Sequence, residues 1–342
     1  MTSYELPQVV VTMTNWNRRD DMARAIESIQ SQVYPNIKIL IVDNCSNDGS
    51  IQLLEDLEQQ GVLSFISCPH SDFSAMDTLN MGFDIAASGA YNAKYIFVMD
   101  NDAYLPDAHN ISRAVEVMER NPRAFAVSTN VLGSDMKPQM VMVDCEGNIL
   151  TFQDILTLDV VEWLEFHGAA TMLRVDIGKQ LDWYDDRFFI HVNEIDLSIR
   201  ARNAGYPVLF DGQNLTIHSS SVTARPNLRN RIHGFKNLLY VCNTYMKFTT
   251  RVPLFALIII AYTYRLFDTI LHEGFKGVPA IPYLTRWVWI ALRNGALLFN
   301  PWYKRQIADE YVHIWLFHRV WKSFLYGTLR MITKRPLEFG IQ

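Results

Sequence analysis

The sequence predicts an α/β protein: a doubly wound, mostly parallel sheet followed by a C-terminal α-helical extension. Three observations predict it. Apolar runs of strand length alternate with helix-period segments and short connections through the first ~130 residues, the pattern of a parallel sheet with crossover helices. Two of those runs end in carboxylates, Asp43 and the Asp100–Asn101–Asp102 triplet. The carboxyl ends of strands are where open α/β sheets bind ligands. Charge also divides the chain: residues 1–228 carry 15 Lys+Arg against 31 Asp+Glu, and residues 229–342 carry 16 against 5.

Val9 to Met13 reads as the first buried strand, and Thr14-Asn15-Trp16-Asn17-Arg18 as a polar loop after it. Met22, Ile26 and Ile29 recur at helical spacing, and Tyr34-Pro35-Asn36 breaks that helix. Ile37 to Val42 is a second strand running into Asp43. Asn47-Asp48-Gly49-Ser50 has turn and N-cap chemistry, and the next helix runs from Ile51 to a stop at Gly61. Leu63 to Ile66 is a short strand, and Ser74 to Ala87 a helix. Tyr95 to Met99 is a β-branched and aromatic run, read as a buried strand. A helix near Ala108 to Arg120 and a strand from Ala124 to Thr129 follow, then short strands and loops over residues 140–190.

The 342-residue length allows two domains, taken as residues 1–230 for catalysis and 231–342 for the extension. The four cysteines lack metal-ligand spacing, so free thiols are expected. The opening residues show neither a basic n-region nor an apolar h-region, so no secretory signal is expected. The longest apolar run, Val252 to about Ala261, is too short to span a bilayer. No GxGxxG follows the first strand and no GxxxxGK[ST] occurs, which disfavours a dinucleotide fold and a P-loop NTPase.

Asp100 and Asp102 at one strand end suit a hard divalent cation that in turn holds phosphate oxygens; the bland alternative is a solvated Asp-rich turn. Asp43 can accept the ring N–H of a uracil or thymine, or simply make an Asx-turn. His218, ending another apolar run, is a candidate third metal ligand or a packed histidine. From Trp163 to Ala170 small residues sit among large ones. Gly168 and Ala169 there let a substrate approach the backbone, or mark a tight packing point. Glu194 falls at the amino end of a helix reaching Gly205. The helix dipole keeps a carboxylate ionised there, fit to act as a general base; plain capping by Glu194 and Asp196 is the alternative.

Taken in order, these pieces resemble family 2 glycosyltransferases of the A-type fold, rhamnosyltransferase-like branch, over about residues 8–245. The resemblance rests on Asn15-Trp16-Asn17-Arg18, Asp43 with its polar turn, Leu79-Asn80-Met81-Gly82, Asp100-Asn101-Asp102, Gly168-Ala169-Ala170, Tyr184-Asp185-Asp186-Arg187-Phe188-Phe189 and Asn193-Glu194-Ile195-Asp196-Leu197. The family's Arg-Asn-x-Gly element lacks its arginine here. Its Glu-Asp-Val-Asp-Leu frame carries Glu194 where the family has the Asp that serves as base. The resemblance implies an inverting, metal-dependent transfer of a sugar from a UDP- or dTDP-sugar to a hydroxyl of a lipid-linked or polysaccharide acceptor in cell-surface glycan synthesis. It implies Mn²⁺ or Mg²⁺ at Asp100, Asp102 and His218. Donor contacts fall at Thr14, Asn15, Asn17, Arg18, Asp43, Asn80, Asp100 and Asn101, and acceptor contacts at Trp163, His167, Gly168 and Ala169. Glu194 is the implied base, with Asp196 as fallback. Rival readings are a catalytically silent binding subunit of the same fold and a nucleotidyltransferase.

The extension mixes Trp, Tyr and Phe with aliphatics and scattered Lys/Arg, including five of the eight tryptophans. Such a mixture suits an anionic membrane surface, and the expected location is peripheral, on the cytoplasmic face of a membrane. Packing on the core or a homo-oligomer contact is the alternative. Nucleic acid is disfavoured, because the basic residues form no polar stripe.

Overall fold

The computed structural model describes residues 6–70, 74–139, 142, 150–219, 227–273, 280–300, 305–308, 312–313 and 315–321. The elements run β1 (Val9–Asn15), α1 (Arg19–Gln30), β2 (Ile37–Asp43), α2 (Ser50–Gln59), β3 (Ser64–Ser67), α3 (Ala75–Ala86), β4 (Tyr95–Met99), β5 (Ala103–Tyr104) and α4 (Asn110–Arg120). They continue with β6 (Ala126–Gly133), α5 (Phe152–Thr157), β7 (Val160–Trp163), β8 (Ala170–Arg174), α6 (Val175–Leu181), α7 (Asn193–Asn203) and β9 (Val208–His218). Three long helices follow: α8 (Asn227–Tyr245), α9 (Phe248–Glu273) and α10 (Ala280–Leu298).

The chain divides into two compact units. Residues 1–140, 151–189 and 194–220 form the first, and residues 141–150, 190–193 and 221–342 the second. In the first unit one nine-stranded sheet has the order β3-β2-β1-β4-β8-β6-β9-β5, with β7 also pairing to β9. The expected parallel winding is the β3-β2-β1-β4 half. Val9, Val11, Met13, Ile41, Phe97 and Met99 of its strands are buried in the core between sheet and helices. Burial of each such side chain is worth about 1.5–3 kcal/mol.

The second half is mixed. β8 runs antiparallel to both β4 and β6, and β9 runs parallel to β6. The two reversals cancel, so β9 points the same way as β4. The carboxyl ends of β1, β2, β4 and β9 therefore open on one edge of the sheet, with the amino end of β8 among them. This topology brings residues as far apart as 15 and 218 to one place.

Local sequence explains the helices beside that edge. Ser74 and Asp77 form a reciprocal capping box at the start of α3: Ser74 Oγ accepts from Asp77 N at 3.0 Å, and Asp77 Oδ2 from Ser74 N at 2.8 Å. Gly82 faces β1, where an added Cβ would stand 2.5 Å from Thr12 Cγ2, so only glycine lets α3 lie this close to the sheet. Gly49, at φ +89°, turns the chain into α2. Cys45, Cys68 and Cys242 are free thiols, and Cys145 lies outside the described residues.

The second unit is helical. Phe235 of α8 stacks on Trp287 of α10, with centroids 3.7 Å apart and planes at 6°. Asn243 Nδ2 donates to Asn294 O at 3.1 Å. Trp287 and Trp315 are core residues, 5% and 2% exposed, whereas Trp289 is 58% exposed. The tail aromatics thus divide between a helical core and an outer face, and Trp302 lies outside the described residues. Among the described residues, no helix is long and apolar enough to cross a membrane.

Candidate functional site

β1 extends two residues beyond its apolar run, so Asn15 pairs in register with Asp43 on β2. This starts a chain of side-chain hydrogen bonds across three strand ends. Asn101 Nδ2 donates to Asn15 Oδ1 at 2.7 Å, and Asn15 Nδ2 donates to Asp43 Oδ2 at 2.7 Å. Ser46 gives Asp43 two more bonds, from its backbone N at 2.8 Å and its hydroxyl at 2.7 Å. Ser46 Oγ in turn accepts from Asn17 N at 2.9 Å, and Asn17 Oδ1 from Asn47 N at 2.8 Å. Asn17 and Cys45 hold left-handed φ values of 52° and 60°, which the crossed loops require.

Asp43, expected to meet the base directly, orders this loop from within. Its residue is 0% exposed, and three donors of the protein's own occupy its oxygens. A carboxylate at a buried strand end must be satisfied from within. Thr14 lies on β1 opposite Val42 and is half-buried. Asn80 also faces the protein: its amide donates to Tyr184 O at 2.8 Å and accepts from Tyr184 N at 3.1 Å. It clips a backbone segment and has no bond to the strand-end network.

Asp100, Asp102 and His218 converge, with one ligand atom from each lying within 4.8 Å of the others. β5 pairs with the end of β9, and Ser219 N donates to Asp102 O at 2.8 Å, which sets the histidine beside the turn. His218 Nε2 is 3.0 Å from Asp102 Oδ1 and 3.5 Å from Asp100 Oδ2. On the far side of the ring, Gln139 Nε2 donates to the His218 carbonyl at 3.0 Å. That orientation turns Gln139 Oε1 to His218 Nδ1 at 2.6 Å, so Nδ1 carries the proton and donates. Nε2 faces the two carboxylates, and with the ring neutral it offers them a metal-ligand lone pair; one imidazole nitrogen and two carboxylates suit a divalent cation. Arg18 adds charge from the β1 loop, with Nη1 2.7 Å from Asp102 Oδ2. Gln139 had no signal in the sequence, because its partner lies 79 positions away.

The small-residue stretch meets this cluster. Asp100 N donates to Ala169 O at 3.1 Å, and Met99 pairs with Ala170. His167 Nδ1 accepts from Ala169 N at 3.1 Å, and its ring lies edge-on to His218 with centroids 6.2 Å apart. The group that approaches Gly168 is Glu194. A Cβ on residue 168 would overlap its Oε1 and stand 3.4 Å from its Cδ. Trp163 is set apart: it pairs with Val208 at the opposite end of β9 from His218 and is 6% exposed, a core residue.

Glu194 and Asp196 are now distinguishable. Asp196 is 1% exposed and accepts from Arg200 Nε at 2.8 Å, while Arg200 Nη2 donates to Trp183 O at 2.6 Å. Asp196 is committed to holding α7 against the preceding chain. Glu194 is only half-buried and lies on the Gly168 side. The turn into α7 carries His191 and Val192 at φ 67° and 68°; for a β-branched residue that is strained backbone.

A mixed sheet opening an Asp-x-Asp turn, a histidine and a helix-borne carboxylate on one edge defines a protein with the A-type glycosyltransferase fold. The glycosyl transferase family 2 model matches residues 10–181, and the chain belongs to that family. An uncharacterized glycosyltransferase of Nostoc sp. is 30% identical over 112 residues, 33% of each chain, so the match spans about a third of that relative's length. Among solved structures, the mannosyltransferase PcManGT from Pyrobaculum calidifontis, in complex with GDP-Man and Mn²⁺, is 14% identical. It covers 97% of this chain and 89% of its own, with a TM-score of 0.53. Residues 1–349 of S. aureus TarS in complex with UDP-GlcNAc are 13% identical, covering 94% and 92%, with a TM-score of 0.53. GalNAc-T7 with UDP, GalNAc and Mn²⁺ is 13% identical, covering 71% and 49%, with a TM-score of 0.53.

Proposed function

We propose that this chain transfers a glycosyl group from a UDP- or dTDP-sugar to an acceptor hydroxyl, with inversion, as a hexosyl- or rhamnosyltransferase. The observation that carries the reading is the convergence of Asp100, Asp102 and His218 on the strand edge where Glu194 lies over Gly168. Similar folds whose structures hold UDP-GlcNAc, UDP or GDP-Man support a nucleotide-sugar donor. In this reading the loop ordered by Asp43, Asn15, Asn17 and Ser46 receives the base and ribose. Bound at Asp100, Asp102 and His218, Mn²⁺ or Mg²⁺ supplies positive charge against the departing diphosphate. Arg18 holds Asp102 in place from the donor side, and Gln139 fixes the His218 tautomer. His167, Gly168 and Ala169 line the acceptor approach. Glu194 takes the proton from the acceptor hydroxyl as it attacks the anomeric carbon. The acceptor is a lipid-linked or polymeric glycan at the cytoplasmic face of a membrane, a reading supported by the basic, aromatic second unit.

The test is nucleoside diphosphate release from a panel of UDP-, dTDP- and GDP-sugars with Mn²⁺, comparing wild type with Glu194→Gln. Release that needs both the metal and Glu194 supports the reading. Donor binding without release from any sugar, acceptor supplied, identifies a silent binding subunit instead.

A further inference from the structure

The second unit carries an apolar stripe on the outside of its helical core. Along α10, Trp287, Ile290 and Asn294 face inward. The other side presents Val288, Trp289 and Leu292, respectively 54%, 58% and 70% exposed, and Phe299, 65% exposed, follows just past the helix end. Steps of three and four residues keep the three helical side chains on one face. Phe248, itself 56% exposed at the amino end of α9, continues the stripe, its ring centroid 6.1 Å from that of Phe299. Contiguous exposed apolar surface of this kind marks a contact site.

Charge indicates what the contact is. α10 contains Arg286 and Arg293 and no Asp or Glu, and the Arg293 guanidinium lies 5.2 Å above the Trp289 ring. A cavity of about 300 Å³ opens at the Phe248 end of the stripe. Lys247, Thr249, Thr250, His313 and His318 line it together with Pro253 and Phe317, and among the described residues no carboxylate does. Thr249 and Thr250 belong to the first turn of α9, where the Lys247 carbonyl accepts from Thr250 N and Arg251 N at 3.1 and 2.7 Å. A helix start adds positive field and outward N–H groups to a lining of one lysine, two histidines and two hydroxyls. That is phosphate-binding chemistry next to an apolar stripe. Pairing with a second copy about a two-fold axis would set arginine against arginine with no acid on α10 to answer it.

We propose that stripe and cavity together dock the chain on an anionic phospholipid bilayer, the cavity taking a headgroup phosphate and the stripe lying at the acyl boundary. The inference rests on the membrane-side reading above and assigns that contact to named residues. The experiment uses the full-length chain, sedimented with phosphatidylcholine vesicles lacking or containing phosphatidylglycerol. Wild type binds the phosphatidylglycerol vesicles. Trp289→Ser with Leu292→Ser abolishes binding. Lys247→Gln with His318→Gln weakens it, about fivefold for the lysine charge removed, and flattens its dependence on phosphatidylglycerol. Wild-type binding unchanged in both double variants overturns the proposal. So does a wild type that ignores the vesicles while the stripe variant converts a dimer to a monomer in sedimentation velocity. Diphosphate release from donor and soluble acceptor is measured on the same proteins. Its absence in wild type counts against the transferase reading and leaves the vesicle result standing.

Discussion

The Glu194 carboxylate occupies the space that a side chain on residue 168 would need. The two residues are 26 positions apart in the chain, and neither can change without regard to the other. Gly168→Ala should therefore act as a base mutation made from a distance. Glu194→Gln is expected to slow transfer on the order of 10²–10⁴-fold with donor affinity kept. Gly168→Ala should show the same split, and the double variant should be no slower than the worse single one. Additive losses in transfer rate would separate the two residues.

Asp196 should fail differently. Its buried pair with Arg200 holds α7, so Asp196→Asn leaves a charged partner unmatched and should cost roughly 3 kcal/mol of stability. Urea denaturation reads that loss, while the rate per folded molecule stays near wild type. A fully folded but inactive Asp196→Asn would exchange the roles assigned to the two acids.

Gln139 offers a test of the metal centre that removes no ligand. Gln139→Leu frees the His218 ring to turn and to change tautomer, and should weaken Mn²⁺ binding on the order of 10–100-fold. Titration calorimetry with Mn²⁺ reads this directly. Asp102→Asn should abolish the same signal, because that carboxylate faces both His218 and Arg18.

Asp48 should give the loop after β2 an acid limit. Burial alone would raise its pKa, but bonds from the Ser50 hydroxyl and the Arg19 and Ser50 backbone N–H groups outweigh it and hold the carboxyl below the usual 3.8. A depressed folded pKa means stability that is whole above the unfolded value and is lost as pH falls through the folded one. Asp48 is exposed and solvent screens its bonds, so Asp48→Ala should lower stability by only about 0.5 kcal/mol at neutral pH. Below pH 3.8 the variant and wild type should converge. A gap between them that persists at low pH would assign the loss to packing.

Much of the site was legible because the first half of the sheet is built from local signals. The run Tyr95–Met99 is bounded by polar residues on both sides, and the strand occupies those residues. The carboxylates at its end announce themselves by position. The second half was not legible in the same way. Ala170–Arg174 enters antiparallel between β4 and β6, with partners 40 to 80 residues away, and no crossover helix marks its arrival. Asp43 shows a different limit. Residue type and strand position suggested a ligand contact, but whether its oxygens face outward depends on Ser46 and on Asn15 from another strand. Gly168 was recognisable as a place of close approach, while the approaching group was a side chain of the protein itself.

Asn15 sits between Asp43 and Asn101 with its amide oriented by both, nitrogen toward the acid and oxygen toward the other amide. The loop after β2 and the Asp-x-Asp turn are thus wired in series through one side chain. Any ligand that shifts one end must work against the other, so the affinities at the two ends share a single coupling free energy. Measured as the effect of a divalent ion on nucleotide affinity, that energy also fixes the effect of the nucleotide on the ion. Asn15→Ala should bring both effects toward zero together.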